Sequence, residues 1–336
     1  MGSIRYLYPG WFAVVMGLGG LALAWLRASG VVGPVAHTIS MFLASASGCV
    51  LLILAAATVW RGLKHADAWA EDRRHPVRRA FIATLPVALL IFSTVTLALQ
   101  GSGLVPEVLW WTGSLGQISV TAWILQSWWQ ASPPERSLWM SLTPALFIPV
   151  VGNVLAPLGG VPLGHTEWAV AQMGIGILFW PPLTALLLAR IAVLGPWPER
   201  MRPASFIFIA PPAVVGLSLV QLQAPPLLIW MMGGMAMFTT LWVLPQLSRI
   251  LRLPFGLPHW GLSFPLAAVT SLCLSLGERS PTPMGVVAQW AGMVLLALSS
   301  TIIAWLSWQT LSGLLAGRLL APEPQPPAAG GSPSAP

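Results

Sequence analysis

Ten apolar stretches dominate the chain, at about 10–27, 34–60, 78–99, 104–129, 139–158, 165–194, 203–222, 226–249, 258–277 and 284–316. Each is long enough for a helix of about 20 residues, the length that crosses a hydrocarbon core. The longer ones predict helices that tilt or reach past that core. None alternates with period two, as a membrane β-strand would. In lipid every backbone amide needs an internal partner, which leaves helices. The last residues, Pro322 to Pro336, read PEPQPPAAGGSPSAP, a composition that packs no core. The predicted organisation is one transmembrane domain over 1–320 and a disordered Pro/Gly/Ser-rich tail over 321–336.

Loop charges orient these stretches. With ten spans, both termini and the loops after even-numbered spans share one side. That side carries Arg5, Arg61, Lys64, Arg73, Arg74, Arg78, Arg79, Arg136, Arg190, Arg200, Arg202, Arg249, Arg252 and Arg318; the other carries only Arg27 and Arg279. Fourteen against two is a strong positive-inside bias. It predicts a multi-pass protein of the cell (inner) membrane with both termini, and the tail, in the cytoplasm. A miscounted span would scramble the alternation. Trp60, Trp69, Trp110, Trp111, Trp128, Trp129, Trp197, Trp230 and Trp260 fall near predicted span ends, where an amphipathic ring anchors at the interface.

Composition agrees. Charged residues make up 7% of the 336, apolar ones 56%, and the mean hydropathy is +0.77. Soluble domains carry about 25% charged residues, so lipid must cover most of this surface, and no length remains for a soluble catalytic domain. A net charge of +7 would suggest nucleic acid in a soluble chain; here topology accounts for it, and no nucleic-acid partner is expected. Cys49 and Cys273 lie inside apolar runs as small buried hydrophobes, without a CxxC or disulfide framework. The start of the chain reads as a first span, not a cleaved signal.

Catalytic constellations are absent. Of nine carboxylates, Asp67, Glu71, Asp72, Glu135, Glu199, Glu278 and Glu323 lie in loops or the tail. Glu107 and Glu167 begin apolar stretches, where a carboxylate complements the helix dipole. The histidines lack metal-ligand spacing. There is no P-loop, aspartate-rich diphosphate motif or GxSxG. Hence no enzyme activity, no metal and no cofactor are expected. No charged residue falls at a span centre, which disfavours a carboxylate proton relay.

Helix breakers follow the odd-numbered stretches: Gly17, Gly19 and Gly20 in the first, Pro86 in the third, Pro144 and Pro149 in the fifth, Pro211 and Pro212 in the seventh, Pro265 in the ninth. Proline frees a carbonyl and kinks a helix, and irregular backbone is tolerated where it faces protein or a watery cavity. Two readings stand. Proline is common in membrane helices, and Pro181, Pro182 and Pro245 occupy even stretches; or one helix of each hairpin lines a conduit while the other faces lipid.

Several segments resemble the tellurite-resistance/dicarboxylate transporter family, that of the bacterial TehA-like proteins and the plant slow-type anion channels. His75-Pro76-Val77-Arg78-Arg79 through Phe81 to Pro86 resembles the start of that family's third helix. Pro9-Gly10-Trp11-Phe12 through Gly17 to Ala24-Trp25 is similar to its first, and Glu107 to Gln117 to its fourth. Pro149-Val150-Val151-Gly152-Asn153 fits the fifth and Trp260 to Pro265 the ninth. The similarity runs in order over about residues 8–316. It implies an all-α membrane protein of ten helices, five hairpins around a quasi-fivefold pore with odd helices inner and even helices outer, assembled as a homotrimer of independent pores. It implies a pore gate at Phe264, where relatives place an occluding phenylalanine. It implies anion substrates of the chloride, nitrate, sulfite, malate or other C4-dicarboxylate, and tellurite class. The short termini suit a bacterial member. In the first helix glycines stand where an internal proline is the family pattern.

The expected lining is apolar with weak dipoles at Ser93, Thr94, Asn153, Ser218, Ser263 and Thr270, which would bind an anion weakly and release it. Arg78 and Arg79, at the cytoplasmic mouth of a lining helix, are candidates for attracting anions as well as for fixing topology. The alternative function is a proton-coupled ten-helix metabolite or drug carrier built from two five-helix repeats, although residues 1–158 and 165–320 show no clear halves. A lipid or prenyl transferase would need interfacial metal ligands that the Asp67–Asp72 cluster, set among arginines, does not supply.

Overall fold

The computed structural model describes residues 4–130 and 142–321. Glu135, Arg136, residues 139–141 of the fifth stretch, and the tail with Glu323 lie outside the described residues. Among the described residues every regular element is helical. The main segments are α1 (Pro9–Arg27), α2 (Pro34–Lys64), α3 (Arg78–Gln100), α4 (Leu104–Gln130), α5 (Pro144–Gly160), α6 (Thr166–Leu194), α7 (Glu199–Gln221), α8 (Pro226–Ile250), α9 (Leu257–Arg279) and α10 (Pro283–Leu315). Eight are long and apolar enough to cross a membrane. The other two are α4, whose tryptophan, serine and glutamine content lowers its hydropathy over 27 residues, and the shorter α5.

Burial separates the set. In α1, α3, α7 and α9, 61–83% of the most apolar stretch is buried; in α2, α6, α8 and α10 the share is 17–39%. Consecutive segments pack as pairs: α1 on α2, α3 on α4, α5 on α6, α7 on α8 and α9 on α10. The odd segments also pack on one another in chain order, and α9 closes against α1. The exposed faces of the even segments carry large apolar side chains such as Phe42, Leu52, Phe238 and Trp290. Water would penalise such a surface at about 25 cal/mol per Å², whereas lipid tails do not.

Each odd segment opens as a 3-10 helix, over Pro9–Phe12, Arg78–Ala83, Pro144–Leu146, Glu199–Ile209 and Leu257–Leu262. Each turns α-helical at Ala13, Thr84, Phe147, Ala210 and Ser263. Pro86, Pro149, Pro212 and Pro265 occupy the third α-helical position of their segments. A proline ring cannot donate to the carbonyl four residues back and collides with it. Those carbonyls belong to Ile82, Ala145, Phe208 and Gly261, all in the 3-10 stretches. The tighter i→i+3 pattern there follows directly. The prolines therefore mark where α geometry begins, instead of kinking a helix already running.

Two glycines set the closeness of the pairs. A Cβ on Gly113 of α4 would lie 2.9 Å from the Pro86 carbonyl oxygen of α3, and one on Gly176 of α6 equally close to the Val151 carbonyl oxygen of α5. Three residues depart from their expected settings. Cys273 is buried, but Cys49 is exposed on the outward face of α2. Trp110 and Trp260 are fully buried instead of interfacial, their indole N–H groups donating to the Ala156 carbonyl and the Thr310 hydroxyl.

Candidate functional site

Two cavities, of about 70 and 50 Å³, are both lined by Phe264. Residues from all five odd segments line the first, among them Ala13, Phe81, Ile148, Ala210 and Gly261. The same five line the second, through Leu23, Thr94, Leu158, Leu217 and Ala268. Along each odd segment the residues lining the first cavity come earlier in the chain than, or overlap, those lining the second, so the five odd segments run in the same direction past both. No residue of an even segment lines either.

Phe264 and Val214 are the residues common to both linings. The Phe264 side chain is 9% exposed. Its ring lies over Gly20 of α1, where a Cβ would approach ring carbon Cδ2 to 3.1 Å. Gly17, one turn earlier, faces Ser263 so closely that a Cβ would overlap the serine hydroxyl. The two glycines let α1 lie against the start of α9, and the gap at Gly20 accommodates the ring.

Of the other residues singled out in the sequence, Pro211 and Pro265 line the first cavity, and Gly20 and Thr94 the second. The polar ones turn to protein partners. Ser93 donates to the Pro106 carbonyl, Ser218 to Val154, Ser263 to Trp260 and Thr270 to Leu266. Asn153 donates to the Thr121 hydroxyl and accepts from Gln172, which in turn receives the Ser114 hydroxyl. Gln117 and Thr121 donate to the Pro149 carbonyl, an acceptor that the broken backbone of α5 leaves open. These bonds join α4, α5 and α6 behind the cavities. Pro86 packs against Gly116, and Pro144 and Pro212 are buried. Among the described residues no aspartate, glutamate or histidine lines either cavity.

At the base of α3, Arg78 pairs with Glu71 at 3.0 Å and Asp72 at 3.1 Å. Asp72 also faces Arg61 at 2.7 Å, off the hydrogen-bond axis but close enough to pair as charges. Both side chains are almost wholly buried. His75 Nδ1 accepts from the Val77 and Arg78 amides and fixes the turn into α3. The charge of Arg78 is thus compensated by a carboxylate pair. Arg79 is half-buried, and none of the ion pairs among the described residues involves it. Partial desolvation raises the Asp67 carboxyl, but the Arg5 guanidinium paired with it, with backbone N–H groups, leaves it below the ordinary carboxylate value.

On the opposite face Glu107 accepts from the Trp111 indole and pairs with His165, which stacks on Trp110. Sequence reading gave Glu107 only its helix-dipole role. The pairing was invisible there because His165 lies 58 positions away.

Buried segments enclosing apolar cavities, with exposed apolar helices outside them, define a multi-pass membrane protein. The family described as SLAC1, voltage-dependent anion channel, matches residues 6–311, and the chain belongs to it. It is 20% identical over 336 residues to the S-type anion channel SLAH1 of Arabidopsis thaliana, covering 96% of this chain and 85% of that one. It is 22% identical over 317 residues to the tellurite resistance protein TehA homolog of Haemophilus influenzae, covering 93% and 92%. An uncharacterized transporter of Methanocaldococcus jannaschii is 23% identical over 297 residues, covering 79% and 82%. The family resemblance read from the sequence is borne out.

Proposed function

We propose that this protein conducts small anions through the space between its five odd segments, with Phe264 as the gate. The observation that carries the reading is the pair of cavities, each lined by all five odd segments and both by Phe264. The arrangement reads as five hairpins around a quasi-fivefold pore, with α4 and α5 completing a set of ten membrane helices. Anion preference has a physical source. The first cavity collects the N-terminal halves of five parallel helices, whose dipoles place partial positive charge there. An apolar wall with few strong donors holds an anion weakly enough to release it. A ring that offers no hydration blocks a narrow apolar passage sterically and by dewetting. With Arg78 compensated, Arg79 is the better placed of the two to attract anions at the cytoplasmic mouth. The absence of carboxylates and histidines from the described lining favours passive conduction over proton coupling.

The loop charges support cytoplasmic termini in a cell (inner) membrane, and the family resemblance supports a homotrimer, which light scattering of purified protein would check. Relatives named as S-type anion channels and as a tellurite resistance protein support substrates from chloride and nitrate to dicarboxylates and oxyanions. The test is flux in proteoliposomes with that anion panel, with and without a proton gradient. Flux down the anion gradient alone is expected. Flux that requires the proton gradient would point to a coupled carrier, and no flux of any anion in wild type or Phe264→Ala would sink the proposal.

A further inference from the structure

We infer that Arg27 is an anion-binding residue of the conduction path, set in the second cavity. The inference rests on the anion-conducting reading above. Arg27 ends α1 and lines that cavity beside Thr94, Gln221 and Ser271. Among the described residues it is the one charged side chain lining either cavity. Its side chain makes no ion pair or hydrogen bond with another described residue; the charges that act on it are Glu278 and Arg279 at the end of α9. The local sum of the three is one positive charge, carried into the cavity by Arg27.

The electrostatics of the second cavity call for such a charge. Later parts of all five odd segments line it, and α1 and α7 end on it at Arg27 and Gln221; helix C-termini carry partial negative charge. An anion leaving the favourable N-terminal cavity would meet this field with no compensation from the apolar wall. A guanidinium facing the cavity cancels it and presents several donors to an oxyanion or halide. Topology gives Arg27 no reason to be where it is. Fourteen of sixteen basic residues lie on the other predicted side, so its position runs against the positive-inside bias. A cation at a helix end also complements that helix's own dipole, but such a role would leave the anion dependence of flux untouched.

The two roles separate in proteoliposomes loaded with chloride. Arg27→Gln should raise the chloride concentration for half-maximal flux at least about fourfold, the effect of one unit charge at about 5 Å even with the dielectric of bulk water. Arg27→Lys should stay within about twofold of wild type. A third variant makes the comparison within one folded sample: Arg27→Cys, in a chain with Cys49 and Cys273 replaced by serine, loses the charge and regains it on aminoethylation. Reagent treatment should restore the wild-type concentration dependence. If wild type conducts chloride and neither Arg27→Gln nor untreated Arg27→Cys shifts that dependence, the assignment of Arg27 is wrong and the proposed function stands. If wild type and Phe264→Ala both conduct nothing, the proposed function falls and this inference with it.

Discussion

Truncating Phe264 to alanine separates a gate from a packing residue, and the surroundings of the ring set the size of the effect. A phenylalanine packed on all sides costs about 3–5 kcal/mol when cut to alanine, part of it for the cavity left behind. Here the side chain already lines two cavities, of about 70 and 50 Å³. Its close neighbour is Gly20, with 3.1 Å between an ideal Cβ there and the ring. Truncation would join two existing voids instead of opening a new one, so most of the cavity cost falls away. What remains is the transfer cost of one large apolar side chain, roughly 1.5–3 kcal/mol. The purified variant should therefore stay folded, with a modest fall in melting temperature. Its anion flux per protein in proteoliposomes should rise at least about tenfold, because the joined cavity is wide enough to hydrate. Phe264→Leu should fall between. Met235→Ala, on the exposed face of α8, should leave flux unchanged. A folded Phe264→Ala protein with wild-type or lower flux would refute the gate.

Asp72→Asn leaves Arg61 buried and short of a counter-charge, so it should cost about 3–5 kcal/mol and lower the melting temperature without changing anion preference. Gly176→Ala drives a Cβ to within 2.9 Å of the Val151 carbonyl, where backbone cannot yield; it should cost about 1–3 kcal/mol, read by thermal unfolding in detergent. A reporter fused after Arg318 should register cytoplasm and one inserted between Gly277 and Pro281 the opposite side. Both on one side would break the ten-span topology.

Apolar stretches and breakers were legible in the sequence because they depend on composition and on local backbone chemistry. The first stretch, read as 10–27, is the helical segment Pro9–Arg27, and the odd stretches that carry breakers are the buried segments. The use of the prolines was not legible. At Pro86 the sequence shows a missing donor inside an apolar run; only the structure shows that the ring stands three residues into α geometry, with the Ile82 carbonyl behind it in a 3-10 turn. The polar side chains illustrate the same limit. Ser93, Asn153 and Ser263 were expected as weak dipoles of a lining. Each donates to a protein acceptor, as a hydroxyl or amide shielded from water must.

Charged residues were harder still, because a sequence counts charge but does not say which charges cancel. Arg78 and Arg79 are adjacent and read alike, yet Arg78 is spent on Glu71 and Asp72 while Arg79 is not. Arg27 read as a minority vote in a topology count, and nothing local marks it out. Its significance comes from the parallel arrangement of five helices, whose later parts surround one cavity. Helix dipoles in a pore act as a set, and the set exists only once chain segments hundreds of residues apart lie side by side. A fixed charge then matters by the helix ends it faces: Arg27 faces a cavity on which α1 and α7 end, whereas Arg78 is paired with carboxylates in a loop.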